Sequence, residues 1–347
     1  MRRIAPAILL FFLSPLVAEY LLGDFTLAFL YGLLLLAPMY GGGALLIREV
    51  VRRSGRGWPS IVLLALAYGV FEEGITTQSL FDPDYADAHL LDHGFIPALG
   101  IAVPWTLFVL TLHTVWSISV PIALTEELTA NRRTSPWLRT PGLTVATVLF
   151  VIGSVATFAT SYATDHFVAP WPALAVVVAV AVALVVVALR LPRVETVPTP
   201  TGDTTAAGAP IADRPAAPPA RIMFVAALAA GFVFMSIRHL PTWIGPAVFA
   251  AGALATVLAV RAWSRRPGWN GWHRMALAGG ALLTYAWNGF LEQPIMGDGP
   301  IITPVSHVVF GLAAVALLAL ELRAVRSLPR ATRRTGQPAA TAVNPAG

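Results

Sequence analysis

Two adjacent carboxylates, Glu72 and Glu73, interrupt a long apolar stretch of the chain, and the amide side chain of Gln78 follows them. An ionisable side chain near the centre of a membrane helix costs about 2.5 to 3.5 kcal/mol on insertion scales, so its presence indicates a functional site. Two carboxylates this close resist simultaneous ionisation, which favours a shared proton or a bound cation. We therefore expect Glu72, Glu73 and Gln78 to bind a proton or a ligand.

The next apolar stretch contains His113, with Ser117 one helical turn later. A short connection joins the two stretches, so they should be antiparallel neighbours, and Glu72 or Glu73 can then reach His113. The three side chains are also candidate catalytic residues, because a carboxylate base and a histidine metal ligand are the groups that hydrolysis uses. The alternative is structural: His113 hydrogen-bonds a backbone carbonyl or a serine hydroxyl and only holds helices together.

A second set of polar residues lies in the last two apolar stretches, where Asn288, Glu292 and His307 are further candidates for binding a ligand or proton. In both parts of the chain a tyrosine precedes the acidic residue and a histidine follows it. This order agrees with a parallel repeat of the kind found in transporters, and it agrees equally with a chance match.

The connection between the third and fourth apolar stretches contains His89 and His93. On a helix, side chains four residues apart share a face, and two histidines so placed can hold a metal ion, with Asp84 or Asp87 as a third ligand. A divalent metal is therefore a candidate cofactor. The alternative is a solvated acidic loop with two titrating imidazoles.

The composition indicates what surrounds these residues. Of the 347 residues, 56% are hydrophobic and only 12% are charged, whereas a soluble domain carries about 25% charged residues. A water-soluble globule is therefore excluded, and apolar runs of about 20 residues predict an all-α polytopic transmembrane helical bundle. The ten predicted spans are 4–22, 25–47, 58–80, 99–122, 142–164, 171–190, 222–240, 243–262, 274–292 and 304–322.

All basic residues of the chain are arginine, and they lie in alternate connections between the predicted spans, with Arg238 as the exception. Positively charged connections stay in the cytoplasm, so both termini are predicted to be cytoplasmic. The pI near 10.1 then reflects orientation in membrane lipid and not nucleic-acid binding. Because arginine codons are GC-rich, the absence of lysine indicates a GC-rich bacterial genome and the bacterial cytoplasmic (inner) membrane.

Residues 193–220 separate two groups of spans. Proline, threonine, alanine and glycine dominate this segment without periodicity, which predicts a disordered cytoplasmic linker. It divides the chain into a six-span transmembrane half, 1–192, and a four-span half, 221–328, and the remaining residues 329–347 are predicted to form a disordered cytoplasmic tail. The absence of cysteine excludes disulfides, a thiolate nucleophile and cysteine-based metal sites.

Four motifs carry a resemblance to known proteins: the run from Tyr40 to Val50, the Gly-Trp-Pro segment that ends at Pro59, the Phe-Glu-Glu-Gly segment that ends at Gly74, and the Leu-His-Thr-Val-Trp-Ser segment that ends at Ser117. They resemble an uncharacterised family of bacterial multi-pass membrane proteins, closely over 1–125 and loosely beyond. This resemblance implies no activity.

More distantly, the sequence resembles the CPBP intramembrane proteases, whose pattern is Glu-Glu-x-x-x-Arg on one helix, Phe-x-x-x-His on the next and His-x-x-x-Asn later. Glu72, Glu73 and His113 match that pattern in order. The departures are Thr77, Val109 and Gly311, which stand where arginine, phenylalanine and asparagine are expected. The resemblance implies an intramembrane hydrolase in which glutamate and histidine activate water with a metal.

Three functions remain open from the sequence. The first is a transporter or another small-molecule or ion-binding membrane protein, with a Glu/His site in the outer half of the membrane. The second is an intramembrane metal-dependent hydrolase of the CPBP type. The third is a structural or accessory membrane subunit. The expected partners are membrane lipid and a small molecule or ion.

Overall fold

The structure is a computed structural model, and it describes residues 4–194, 215–237, 240 and 243–327. Within them the chain forms eleven α-helices and three π-helical segments. The α-helices are α1 (Ala5–Pro15), α2 (Leu33–Arg53), α3 (Trp58–Phe71), α4 (Val103–Leu112), α5 (Val120–Leu128), α6 (Thr140–Asp165), α7 (Trp171–Arg190), α8 (Ala220–Ser236), α9 (Ile244–Ser264), α10 (Gly271–Asn288) and α11 (Ile302–Ser327).

The π-helical segments continue or join α-helices. Segment π1 (Leu16–Leu21) continues α1, π2 (Glu72–Thr76) continues α3, and π3 (His113–Ser119) joins α4 to α5. Short 3₁₀ turns occur at Leu27–Gly32, Tyr85–Asp87, Ala130–Arg132 and Gly289–Leu291. The connection between π2 and α4 also contains a small antiparallel ladder, in which β1 (Phe95–Ile96) pairs with β2 (Ile101–Ala102).

When continuous segments are taken together, the described residues form ten helical rods, one for each predicted span. Seven rods are long and apolar enough to cross a membrane: Leu27–Arg53, Trp58–Thr76, Val103–Leu128, Thr140–Asp165, Trp171–Arg190, Ile244–Ser264 and Ile302–Arg326. Ala5–Leu21 and Ala220–Ser236 are apolar but shorter, and α10 is the tenth. The predicted all-α membrane bundle is confirmed.

Several helix ends differ from the predicted ones; the fourth rod, for example, is Val103–Leu128 where 99–122 was predicted. Two of the differences have a local cause in the structure. The second span was predicted to end at residue 47, but α2 continues to Arg53, because Arg48 and Arg52 form ion pairs inside the protein. The third span was predicted to reach residue 80, but its rod ends at Thr76. Gln78 adopts a φ of 59°, in the left-handed region, and this ends the helix.

The buried side chains form two core clusters that share the rod α4–π3–α5. One contains Leu10 of α1, Met39 of α2 and Ile118 of π3, and the other contains Leu124 of α5 and Leu282 of α10. The rod with His113 therefore lies at the centre of the bundle. The peripheral helices α7 and α9 instead expose apolar side chains over most of their surface, as lipid-facing helices do.

Gly41 allows α1 and α2 to approach closely. A Cβ atom at this position would lie 1.9 Å from the carbonyl oxygen of Phe11, so any larger residue would push the two helices apart. Helix α2 runs through the three consecutive glycines without a break. The glycine at position 41 thus serves close packing of the two helices, and the helix does not unwind there. This close packing of α1 and α2 places Tyr40 against the rod that carries Glu19.

An arginine network lies where α2, α5 and the connection after α5 meet, and it consists of Arg48, Glu49, Arg52, Glu126 and Trp137. The side chains of Arg48 and Glu49 are 0% exposed and lie 2.7 Å apart. Both arginines donate to Glu126: Arg48 through Nε at 3.1 Å, and Arg52 through Nη2 at 2.6 Å. The Arg48 guanidinium carbon lies 3.5 Å from the Trp137 ring centroid. This network explains why the apolar stretches of α2 and α5 are each followed by charged residues that remain helical and buried.

The predicted linker and tail lie mostly outside the described residues, so their predicted disorder and the division into six and four spans remain predictions. At the edge of the linker, Ala217 donates its backbone N–H to Pro267 at 2.8 Å, and the Pro218 carbonyl lies 2.9 Å from His273 Nε2. These two residues should be kept in any truncation.

We expect deletion of residues 198–212 to leave membrane insertion and thermal stability nearly unchanged, since this composition offers little apolar surface to bury. Size-exclusion profiles and melting curves in detergent would measure this. A deletion that also removes Ala217 and Pro218 is the comparison, and it should lower the melting temperature. A marked loss of folded protein from the shorter deletion would contradict the prediction.

Candidate functional site

The three π-helical segments carry four ionisable residues that come together inside the bundle. Glu19 lies in π1, Glu72 and Glu73 begin π2, and His113 begins π3. A π-turn widens the helix by one residue and is frequent at functional sites. In π2 the Thr77 N–H bonds the carbonyl of Glu72 at 2.9 Å, five residues back. Local widening thus turns side chains of three separate rods toward one point.

His113 lies between the two adjacent carboxylates. Its Nε2 is 2.7 Å from Glu73 Oε1, and its Nδ1 is 3.1 Å from Glu72 Oε2 and 3.0 Å from the Ser117 hydroxyl. All three ionisable side chains are buried. Gly69 permits this approach of α3 to π3, because a Cβ atom there would lie 3.1 Å from His113 Cβ. The imidazole can donate to both carboxylates only when both of its nitrogens carry a proton.

The second oxygen of Glu73 is held by hydroxyl groups. Thr77 Oγ1 donates to Glu73 Oε2 at 3.1 Å, and the Ser79 hydroxyl donates to the same oxygen. Trp105 of α4 in turn donates its indole N–H to Ser79 at 3.1 Å. Glu73 is therefore fixed in place from both sides. This arrangement suits a carboxylate that orients His113.

Glu19 and Tyr40 complete the cluster from the first two rods. The Tyr40 hydroxyl donates to Glu19 Oε1, and the Tyr40 ring centroid lies 6.0 Å from that of His113. Glu19 is partly exposed, unlike Glu72 and Glu73, which are buried. We call Glu19, Glu72, Glu73 and His113 the carboxylate cluster. Its most accessible carboxylate is Glu19.

Two polar atoms beside the cluster have free hydrogen-bonding capacity. Glu72 Oε2 and the Tyr68 hydroxyl are buried, and neither has a hydrogen-bond partner among the described residues. Glu72 Oε2 lies within ion-pair distance of His113 Nδ1 but without the alignment of a hydrogen bond. The two residues are one helical turn apart, on the same face of α3 and π2. The Tyr68 hydroxyl lies close enough to the Glu72 carboxylate to interact with it, so a ligand that reaches the cluster would compete with this contact.

The connection between π2 and α4 brings Tyr85 into the electrostatic field of the cluster. Burial raises the pKa of the Tyr85 hydroxyl well above its usual value, and the charges of Glu73, Glu19 and Glu72 raise it further. The hydroxyl therefore stays protonated and keeps its ability to donate. The three carboxylates thus lie close enough to Tyr85 for their charges to act on it.

The formal charges of the cluster do not balance. Three carboxylates face a single histidine, and the chain has no lysine. Among the described residues, arginine ion pairs reach Glu49, Glu126 and Glu127 but none of the cluster carboxylates. Even with a doubly protonated imidazole, the cluster would carry a net negative charge if all three carboxyl groups were ionised. Additional protons or a cation must therefore neutralise it.

Other candidate residues lie elsewhere. The Gln78 side chain accepts a hydrogen bond from the Ala169 N–H at 2.7 Å, so it anchors the loop to the start of α7. Asn288 donates to Glu292 at 2.6 Å, and the His307 ring packs edge-on against Phe290 with centroids 5.5 Å apart. The structure thus unites Glu72, Glu73 and His113, and places the other four residues in separate contacts.

The loop histidines do not occupy a helix. Residues 88–94 form turns and bends, so the four-residue spacing of His89 and His93 does not align them on one face. The exposed His89 ring lies 3.8 Å from Asp87 and 3.9 Å from Asp92. Within the described part of the chain, the group of three that could hold a metal ion is Glu72, Glu73 and His113, with ligand atoms within 4.8 Å of one another.

Sequence analysis did not identify Glu19, Tyr40 or Tyr85 as site residues. Glu19 carried a usable signal, because it is the only acidic or basic residue of the first predicted span. The contact between Tyr40 and Glu19 depends on the packing of α1 against α2, which a single sequence does not reveal.

Comparison with protein families gives one result. Residues 8–328 match a family described as "Uncharacterized membrane protein family". The comparison with curated proteins gave no match, and neither did the comparison with solved structures. Because the match extends over nearly the whole chain, this protein belongs to that uncharacterized membrane protein family.

Proposed function

We propose that the protein binds protons or a cation at the carboxylate cluster, and that it acts as a transporter or another ion- or small-molecule-binding membrane protein. The observation that carries this proposal is the charge imbalance of three carboxylates around one histidine in the bundle interior. Burying such a charge without compensation is costly. A site of this composition is stable only while it holds exchangeable positive charge.

The groups of the cluster suit specific roles in binding. Glu72 has a buried oxygen without a well-aligned hydrogen bond, close to the Tyr68 hydroxyl and to His113, so Glu72 would take up the proton or cation. Glu73 is held by two hydroxyl groups and would position His113. Glu19 is partly exposed and would be the first carboxylate that an incoming ion meets. Neutralisation of the cluster would then favour movement of the rods that carry it.

An intramembrane metal-dependent hydrolase is the second candidate, favoured by the ligand distances of Glu72, Glu73 and His113. One imidazole with two carboxylates is a donor set that binds zinc. A bound metal would have to replace the Glu73 or the Ser117 contact of His113, since both ring nitrogens are engaged. The later histidine of the CPBP pattern, His307, packs against Phe290 and not in this group.

Melting curves of the purified full chain would test these functions. We expect the melting temperature to depend on pH or on sodium, potassium, magnesium or zinc ions, and the double variant Glu72→Gln/Glu73→Gln to lose this dependence. A response to zinc alone, together with peptide hydrolysis, would favour the hydrolase. A protein that responds to neither pH nor cation would leave only the structural or accessory role.

The arginine-rich connections support a bacterial cytoplasmic membrane location, with both termini and the arginine network on the cytoplasmic side. The chain has no cysteine, so single cysteines can report topology. A membrane-impermeant thiol reagent added to intact cells should label Ala86→Cys, and should label Ser54→Cys and Thr205→Cys only after lysis. Labelling of residue 54 or 205 in intact cells would reverse the proposed orientation.

A further inference from the structure

Helix α11 places a carboxyl group inside the bundle at the end opposite the carboxylate cluster. Glu321 is 0% exposed, and both of its carboxyl oxygens are buried without a hydrogen-bond partner among the described residues. It lies on a buried stripe with Ala314 and Val325, whereas Val315 and Leu320 on the other face are exposed. The side chain of Glu321 therefore faces protein and not lipid or solvent.

The charged groups around Glu321 do not neutralise it. Helix α11 packs against α5 and α10, and the α5 group whose charge acts on Glu321 is another carboxylate, Glu127. Glu127 is itself held by Arg274 of α10 at 2.5 Å and by Arg133 at 3.6 Å. Its neighbour on α5, Glu126, is engaged by Arg48 and Arg52.

Among the described residues, the three other segments with the most contacts to α11 bring no arginine. The turns Leu27–Gly32 and Gly289–Leu291 contain no charged residue, and π1 contributes Glu19. Glu19 belongs to the carboxylate cluster, which lies further along the bundle. Glu127 lies on the same rod as His113, about 20 Å further along the helix axis at a rise of 1.5 Å per residue. Arg221 of α8 lines a pocket with Leu318 and Leu322, but it forms no ion pair with Glu321, whose carboxyl oxygens are without a hydrogen-bond partner among the described residues.

We propose that Glu321 is a second proton-binding site, and that its proton is linked to the Glu127–Arg274 ion pair between α5 and α10. A buried carboxylate without a partner is far less stable than the neutral acid, so the described conformation holds the protonated form. An apolar side chain would fill the same space without this constraint. The presence of a glutamate at this position is explained if Glu321 releases its proton when the conformation or the pH changes.

Release of the proton would change the balance of charges at this end of the bundle. A second negative charge would appear beside Glu127 and compete for Arg274, which weakens the contact between α5 and α10. These helices belong to the two parts of the chain that the linker joins. If the proposed orientation holds, the proton exchanges with the cytoplasm. The site rests on residues separate from the carboxylate cluster and stands without the function proposed for it.

Matched glutamine variants of the full chain test this proposal, because Glu127 and Glu321 occupy the same end of the bundle and differ in pairing. Melting temperatures would be measured from mildly acidic to alkaline pH. Glu321→Gln mimics the protonated acid. The wild type should lose stability as the pH rises above the ordinary pKa of glutamate, because the unfolded chain then ionises Glu321 while the folded protein keeps the proton. We therefore expect Glu321→Gln to melt near the wild-type temperature at mildly acidic pH and a few degrees above it at neutral and alkaline pH. Glu127→Gln should melt lower at every pH, because it frees Arg274.

The proposal fails if Glu321→Gln lowers the melting temperature as much as Glu127→Gln does, or if its melting temperature declines between mildly acidic and alkaline pH as much as that of the wild type. Failure of Glu321→Gln to fold would also contradict it, since the neutral amide has nearly the same shape as the acid. Glu321→Met is a second variant, and it should fold as stably as Glu321→Gln. The carboxylate cluster is intact in all these variants, so the outcome is independent of the function proposed for that cluster.

Discussion

Replacement of Arg48 by methionine is expected to destabilise the protein by about 3 to 5 kcal/mol, because it leaves buried carboxylates without their cation. Arg48 is 0% exposed and contacts Glu49 at 2.7 Å and Glu126 at 3.1 Å. It also donates to the Arg132 and Arg133 carbonyls at 3.2 and 2.9 Å. Thermal or denaturant unfolding in detergent would measure the loss. Methionine preserves most of the side-chain volume, so the effect reports charge and hydrogen bonding.

Arg53→Gln is the control for this prediction. The Arg53 side chain is 35% exposed and lies 3.6 Å from Glu49, and pairs of this kind contribute about 0 to 1 kcal/mol. The two substitutions remove the same charge from the same helix and differ in burial. Equal effects of Arg48→Met and Arg53→Gln would show that the arginine network is not buried as the structure describes.

The second large effect is expected at the carboxylate cluster, where His113→Asn and Glu72→Gln should act in opposite directions at neutral pH. His113→Asn removes the only basic side chain of the cluster, so we expect a loss of about 3 to 5 kcal/mol. Lower pH should restore much of this stability, because protons then neutralise the carboxylates. Glu72→Gln removes a negative charge and should be neutral or stabilising.

Melting curves of both variants from acidic to neutral pH would measure these effects. Ser117→Ala is a suitable control, since it removes a hydrogen bond to His113 at 3.0 Å without a change of charge. If the cluster only holds helices together, His113→Asn and Glu72→Gln should change the melting temperature in the same direction. Such a result would contradict the proposed binding of protons or a cation.

The sequence was sufficient to predict the helices, because an apolar run of about 20 residues in lipid has few alternatives to a helix. It was also sufficient to bring Glu72 and Glu73 to His113, since consecutive spans with a short connection become neighbours. The sequence could not show that Glu19 of π1 and Tyr40 of α2 join the cluster. Their contact depends on the close packing of α1 and α2 at Gly41, and a single sequence does not reveal which helices pack against each other.

Other features depended on local geometry that a periodic pattern does not encode. The three π-turns that orient the cluster residues have no simple sequence signal. Gln78 was expected at the site, but its left-handed backbone turns its side chain toward Ala169. Glu321 lies near the end of its span, where a charge is usually taken as interfacial, and only the packing of α11 shows that it is buried.

The central claim is that the carboxylate cluster holds protons or a cation, and infrared spectroscopy of the purified protein tests it most directly. Protonated and ionised carboxyl groups absorb at different frequencies, and the Glu321→Gln background removes the contribution of Glu321. The Glu321→Gln protein would be measured at neutral pH after removal of added metals, and we predict that it shows a band of protonated carboxyl groups. This band should decrease when Glu72→Gln is added to the variant, and also when a cation that binds to the cluster is added. Fully ionised carboxyl groups in a protein that elemental analysis shows to contain no bound cation would contradict the claim.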